Sequence, residues 1–245
     1  MNQVIDVLQS HRSIRRFRPD PLPDGLLEEI VRAGQQAPTS SNLQAYRILR
    51  ITEPGLRSQL ADWAGAQEYV RLAPEFLVFC ADLRRAQRIC QRQETPFVAG
   101  MTEHFLIATI DAALCAQNCV VAAESEGLGV CYIGAVRNHP EEISQALALP
   151  EQVYPIFGLC LGYPDQDVER KPRLPLRAVL QENRYSEAED AELLAQYDQQ
   201  MQQYYQHRSD HQKDSRWTQE VAAHVGREAR PHMAGFLHRR GFLQR

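Results

Sequence analysis

The most constraining feature of the sequence is the run 105–123, FLIATIDAALCAQNCVVAA, which is nearly long and apolar enough to span a bilayer but is interrupted by Asp111, Gln117 and Asn118. A carboxylate and two amides inside such a run predict the buried central helix of a globular core, so no membrane association is expected. The 245 residues, 44% of them hydrophobic and 24% charged, suffice for a sizeable core in one or two domains. At the N-terminus, Asp6 lies within the first apolar stretch and the arginines follow it, unlike a secretory signal, so a cytoplasmic location is expected.

Helices and strands are mixed along the chain. Val4, Ile5 and Leu8 share a helical face in 3–10, and Asp24 reads as the N-cap of a second helix carrying Leu26, Leu27, Ile30 and Val31. Segments 46–52 (YRILRIT), 76–81 (FLVFCA), 130–133 and 155–161 (PIFGLCL) read as strands. Residues 187–205 form a mostly polar helix whose stripe of Leu193, Leu194, Tyr197, Met201, Tyr204 and Tyr205 needs a surface to rest on. A last helical pattern runs through Val221 and Val225 toward Phe236 and Leu237, broken by Pro231. The six cysteines show no CxxC and no Cys/His spacing, so no metal site is expected and the thiols read as buried and reduced.

Formal charge is −4 for the whole chain, but it is unevenly spread. Residues 206–245 hold eight Lys/Arg against four acids, and the rest is correspondingly acidic. Such a chain repels polyanions except where cations are gathered locally. One gathering is HRSIRRF, His11 to Phe17, where guanidinium forks and Ser13 suit a phosphate or carboxylate; a solvated helix end gives the same pattern. Another is Arg170-Lys171-Pro172-Arg173. Between them lie the hydroxyl- and amide-rich 37–44 (APTSSNLQ), suited to hydrogen-bonding a polar heterocycle, and 131–135 (CYIGA), where Gly134 lets backbone approach a flat ligand. No GxGxxG, P-loop, GxSxG, HExxH or paired-carboxylate motif is present.

These pieces in this order, with Gln67, AAESEGLGVCYIGAVRN at 122–138, FGLCLGYP at 157–164 and KPRLP at 171–175, resemble the nitroreductase superfamily, specifically the group of NADPH-dependent oxygen-insensitive nitroreductases and flavin reductases. The resemblance implies an α+β fold with a mixed, mostly antiparallel central sheet flanked by helices. It also implies an interlocked homodimer with an extended C-terminal segment, non-covalent FMN, and NADPH as electron donor. It divides the chain into an FMN-binding core, 1–180, and a helical extension, 181–245, that carries a basic NADPH-binding loop and packs on core and partner.

Residue by residue, the resemblance assigns His11, Arg12, Ser13 and Arg15 with Lys171 and Arg173 to the FMN phosphate and pyrimidine edge. Thr39, Ser40, Ser41 and Gln67 fall to the ribityl chain and ring edge, and Tyr132, Ile133 and Gly134 pack on the flavin with the Gly134 N–H toward N5. Arg208 and Lys213, with Arg216 beyond them, are the cations for the NADPH 2′-phosphate. Ala135 stands where many relatives carry a second glycine, and Asn42 where several are apolar. No side chain is expected to act as nucleophile, because the cofactor carries the chemistry. The implied activity is ping-pong, two-electron reduction of nitroarenes and quinones, the alternative being a flavin reductase that releases reduced FMN. A nucleic-acid-binding module using the basic tail is a remote reading, since stacking aromatics are sparse there and no nucleic-acid partner is expected.

Overall fold

A computed structural model describes residues 2–245. The interrupted apolar run lies in helix α6, Thr102–Ser125, preceded in the chain by α1 (Gln3–Ser10), α2 (Leu26–Gln35), α3 (Pro54–Trp63), α4 (Glu68–Leu72) and α5 (Arg84–Arg92). By length and composition α6 passes as a membrane span, yet Ala108, Ala112, Cys115, Ala116, Cys119, Val120 and Ala123 are buried within the core. Its buried positions are small, so neighbours come close. One such neighbour is Gly34 of α2, where a Cβ would stand 2.3 Å from Cys119 Sγ.

Four strands form one sheet in the order β1-β2-β4-β3, from β1 (Tyr46–Arg50), β2 (Glu75–Asp82), β3 (Gly129–Ile133) and β4 (Val153–Gly162). Every strand pair is antiparallel, and an isolated bridge between Ser13 and Val130 is parallel. All eight residues of β2 are buried because both sheet faces are covered. Alternation divides them: Leu77, Phe79 and Ala81 join the core around α6, while Phe76, Val78 and Cys80 join a second core with Leu60, Ala61 and Ile143 from α3 and α7 (Pro140–Ala146).

The expected strands are all present, each within two residues of its expected ends. Asp24 is not the cap of α2. That place is taken by Gly25 at φ 82°, a left-handed conformation, and no side chain caps the helix.

By contacts the chain forms two compact units, one of residues up to Gln166 with Arg230–Arg245, the other Asp167–Ala229. In the second, the striped helix is α8 (Asp190–His207), and its surface is supplied by α9 (Trp217–Val225). Leu193, Tyr197, Met201 and Tyr205 are buried, Trp217 packs edge-on to Tyr197 at 5.5 Å, and Asp198 accepts hydrogen bonds from the Thr218 N–H and hydroxyl at the start of α9. The last helical pattern is therefore two helices. Pro231 separates α9 from α10 (Met233–Arg239), whose Phe236 and Leu237, with Phe242, are buried in the core around α6. Part of the basic tail is thus core rather than loop, and Arg240 donates to the carbonyls of Leu149 and Val153.

Candidate functional site

Three polar residues that interrupt or end the apolar run, Asp111, Gln117 and Glu124, each hold one of the motifs. Asp111, 1% exposed, accepts the N–H of Ser40 and that of Ala45, both at 3.1 Å, one on each carboxylate oxygen. That bracket holds a loop in which Ser41, Asn42 and Gln44 all have positive φ (49°, 56° and 50°), three departures within four residues that non-glycine residues adopt only under constraint. Gln117 accepts from the Tyr132 hydroxyl at 3.4 Å, and Glu124 lies 2.7 Å from His11 Nδ1. Sequence reading treated Asp111 and Gln117 only as arguments against a membrane span. Their spacing carried no sign of what they tether.

The arginine-rich loop after α1 is fixed by its backbone. The Ile14 N–H donates to the Val130 carbonyl at 2.9 Å, and Gln166 Oε1 accepts from the N–H groups of Arg15 and Arg16. Arg15 stands beside Tyr69 and Cys131; burial pushes the Tyr69 phenol up, with Arg15 opposing that shift. Gln67 lies immediately before α4, and its Oε1 is buried without a hydrogen-bond partner among the described residues. A buried amide oxygen left unpaired costs roughly 1–3 kcal/mol, so such an acceptor marks a place built for a donor.

On β3, Tyr132 is about one-third exposed and packs edge-on against Phe157 at 5.1 Å. Burial raises its phenol well above the ordinary value. Ile133 is 1% exposed and belongs to the core with α3 and α7, so only its backbone is open to a ligand. Gly134 begins a short 3-10 turn, and a Cβ there would meet the Arg137 guanidinium at 3.3 Å.

The remaining expected cations lie together in the second unit. Lys171 and Arg173 line a cavity of about 650 Å³ with Tyr197, Tyr205, Trp217 and His224. Arg208 is the C-cap of α8 and lies over the Tyr205 ring at 5.1 Å, while its Nε donates to the His211 carbonyl. Lys213 Nζ lies 4.6 Å from the same ring and 2.6 Å from Glu220, whose carboxyl is held below its usual range by Lys213 and Ser215. Arg216 is the N-cap of α9. No group of three potential metal ligands occurs among the described residues.

Two family descriptions cover nearly the whole chain: the nitroreductase family matches residues 8–163, and the C-terminal domain of that family matches 171–245. The chain is 44% identical to an NADPH-flavin oxidoreductase of Vibrio harveyi and 40% identical to an oxygen-insensitive NADPH nitroreductase of Salmonella typhimurium, in each case over 100% of both chains. A solved structure described as the NADPH:FMN oxidoreductase of Vibrio harveyi complexed with NAD+ superposes with a TM-score of 0.92, at 42% identity and 100% coverage of both chains.

Proposed function

Because the chain belongs to the nitroreductase family, we propose that it is an FMN-dependent NADPH oxidoreductase, acting in the cytoplasm on nitroarenes and quinones. The observation that carries the reading is the unpartnered, buried Gln67 Oε1, an acceptor that the imide N–H at a flavin ring edge satisfies. When bound, FMN supplies the redox chemistry, taking a hydride equivalent from NADPH and delivering two electrons to the second substrate.

The protein's part is placement and charge. We assign Thr39, Ser40, Ser41 and Gln67 to the ribityl chain and ring edge. The bracket at Asp111 supports the assignment, because it presents the 39–41 backbone and hydroxyls in one fixed conformation. His11, Arg12, Ser13 and Arg15 supply donors and positive charge in an acidic chain, and in the second unit Lys171 and Arg173 do the same. Tyr132 and the backbone at Ile133 and Gly134 are assigned to contact with the ring. Arg208 and Lys213 are assigned to the 2′-phosphate of NADPH; both heads lie on the face of Tyr205, and the partly exposed Lys213–Glu220 ion pair is of the weak, solvent-screened kind that a phosphate can replace. No side-chain nucleophile or metal enters the scheme.

We also propose a homodimer, from the exposed apolar faces of α1 and α6. The first experiment is an absorption spectrum of the purified protein without air. Bands near roughly 450 nm that bleach with NADPH and return with a nitroarene or quinone are expected. A colourless protein that neither takes up FMN nor oxidises NADPH overturns the reading. The second reading, supply of free reduced FMN, is favoured by the likeness to the NADPH-flavin oxidoreductase, and relative rates with free FMN and a nitroarene separate the two.

A further inference from the structure

We propose that the first unit carries a second ligand site, an arginine-lined cleft that binds a nucleoside triphosphate through its phosphates. The inference does not depend on the flavin reading. Of the nine residues of α5, four are arginine (Arg84, Arg85, Arg88 and Arg92), in a chain whose formal charge is −4. With Arg47 of β1 these four line one cleft of about 430 Å³, within the size range of small-molecule sites.

Structural neutralisation does not account for this charge. Asp82 is the one acidic residue lining the cleft, and it is already committed to Arg47 Nε at 2.9 Å and to the Arg85 N–H at 3.2 Å. The Arg85 guanidinium is turned to the carbonyls of Gln44 and Tyr46, and Arg84 donates to Gln87 at 2.7 Å. Arg84 Nε is buried with no hydrogen-bond partner among the described residues. None of the four α5 arginines has a carboxylate within ion-pair distance among those residues; the ion pairs of the neighbouring strands are Arg47–Asp82 and Arg50–Glu75. Five cations and one spent anion around a half-open cleft leave a local excess of positive charge in an otherwise acidic molecule.

Geometry narrows the ligand. Arg84, Arg88 and Arg92 recur every four residues and so share a helix face, with about 6 Å of rise between successive members. That spacing is close to the reach of a triphosphate from first to third phosphorus, so a phosphate chain engages two of these arginines where a single phosphate or carboxylate engages one. Across from the row the cleft is apolar, walled by Leu49, Leu147, Leu149 and Pro150, with Ile89 on α5 itself. A cationic rail facing an apolar wall suits a ligand with a phosphate tail and a flat, weakly polar body, which a nucleoside triphosphate has. Leu49, Leu147 and Leu149 pack on the core containing Phe76, Val78 and Cys80, whereas Asp111 and Gln117, which tether the 40–45 loop and Tyr132, lie on α6 in the core of the other sheet face. None of the residues assigned to the flavin lines this cleft, which meets the 40–45 loop through the Arg85 bond to the Gln44 carbonyl.

The test is equilibrium dialysis of the full-length holoprotein against labelled ATP without NADPH, for the unaltered chain, R88A/R92A, and R208A/K213A. Saturable binding with a Kd below about 1 mM is expected, weakened about tenfold or more in R88A/R92A and unchanged in R208A/K213A. Inorganic tripolyphosphate is expected to displace ATP and adenosine to fail. Flavin content and NADPH oxidation should be the same in R88A/R92A as in the unaltered chain. Absence of saturable binding up to about 1 mM overturns the proposal, as does equal affinity in R88A/R92A. Loss of binding in R208A/K213A instead, or displacement by adenosine as effective as by tripolyphosphate, also overturns it.

Discussion

At the scale of single residues, Asp111 joins the core to the candidate site. Its two oxygens each accept one backbone N–H, a pattern that a carboxylate satisfies and a carboxamide does not, because one end of Asn is itself a donor. Asp111→Asn should therefore set an N–H against an N–H in a buried position, at about 1–3 kcal/mol. The expected result is a fold unchanged by circular dichroism, a lowered unfolding midpoint, and FMN binding weakened about tenfold or more. FMN affinity equal to that of the unaltered protein would show that the 40–45 loop does not need its bracket. The cysteines make a prediction about pH. All six are free and five are buried, and burial pushes the Cys80 thiol up to about 12 and raises those of Cys131 and Cys160. In the unfolded chain these thiols ionise near about 8.5, so between that pH and the folded values the unfolded state binds fewer protons and is favoured. Stability, full below the unfolded value, should fall as pH rises above about 8.5, by up to about 1.4 kcal/mol per pH unit for each such thiol. Denaturant melts in reductant from pH 7 to 10.5 measure it, and Cys80→Ala should flatten the slope.

Among the elements, legibility followed burial pattern. Helix α6 and strands β1 to β4 announced themselves because a face, or both faces, must be apolar, and periodicity records that need directly. Helices α3, α4, α5 and α7 did not. They are short and mostly partly exposed, α5 has no buried residue at all, and their positions follow from where β2 and β4 leave room. The candidate site was legible as motifs through family likeness, but its supports were not, since Asp111 and Gln117 act across 71 and 15 residues of sequence. In the second unit, Arg208 illustrates how an element's end sets chemistry. Helix α8 stops at Arg208, whose extended backbone turns its guanidinium back over Tyr205. If that cation meets the 2′-phosphate, Arg208→Ala should raise KM for NADPH by about 10- to 100-fold while leaving kcat and the KM for NADH nearly unchanged. Equal losses with NADPH and NADH would instead assign Arg208 to holding the loop.

For the whole molecule, the feature left unexplained within one chain is an apolar surface. Helix α1 has no buried residue, and Val4, Ile5 and Leu8 are exposed along it; α6, against which α1 packs, exposes Leu106, Ile110 and Leu114 at every fourth position. A central helix whose other face is fully buried has no need of a second apolar stripe unless something covers it, and scattered exposure does not fall into a row. A second copy of the chain is the simplest cover, since a twofold arrangement places the same patch against itself. Light scattering at micromolar concentration should therefore give about twice the 28.0 kDa of one chain. Ile110→Asp places a charge at the middle of the stripe, where burial without a partner costs several kcal/mol, and should shift the protein toward a single chain. If dimerisation also shapes the flavin site, the same substitution lowers FMN content; if FMN stays bound at full occupancy in the single-chain form, each protomer's site is complete by itself. A single-chain mass for the unaltered protein would sink the dimer and leave the stripe to another partner.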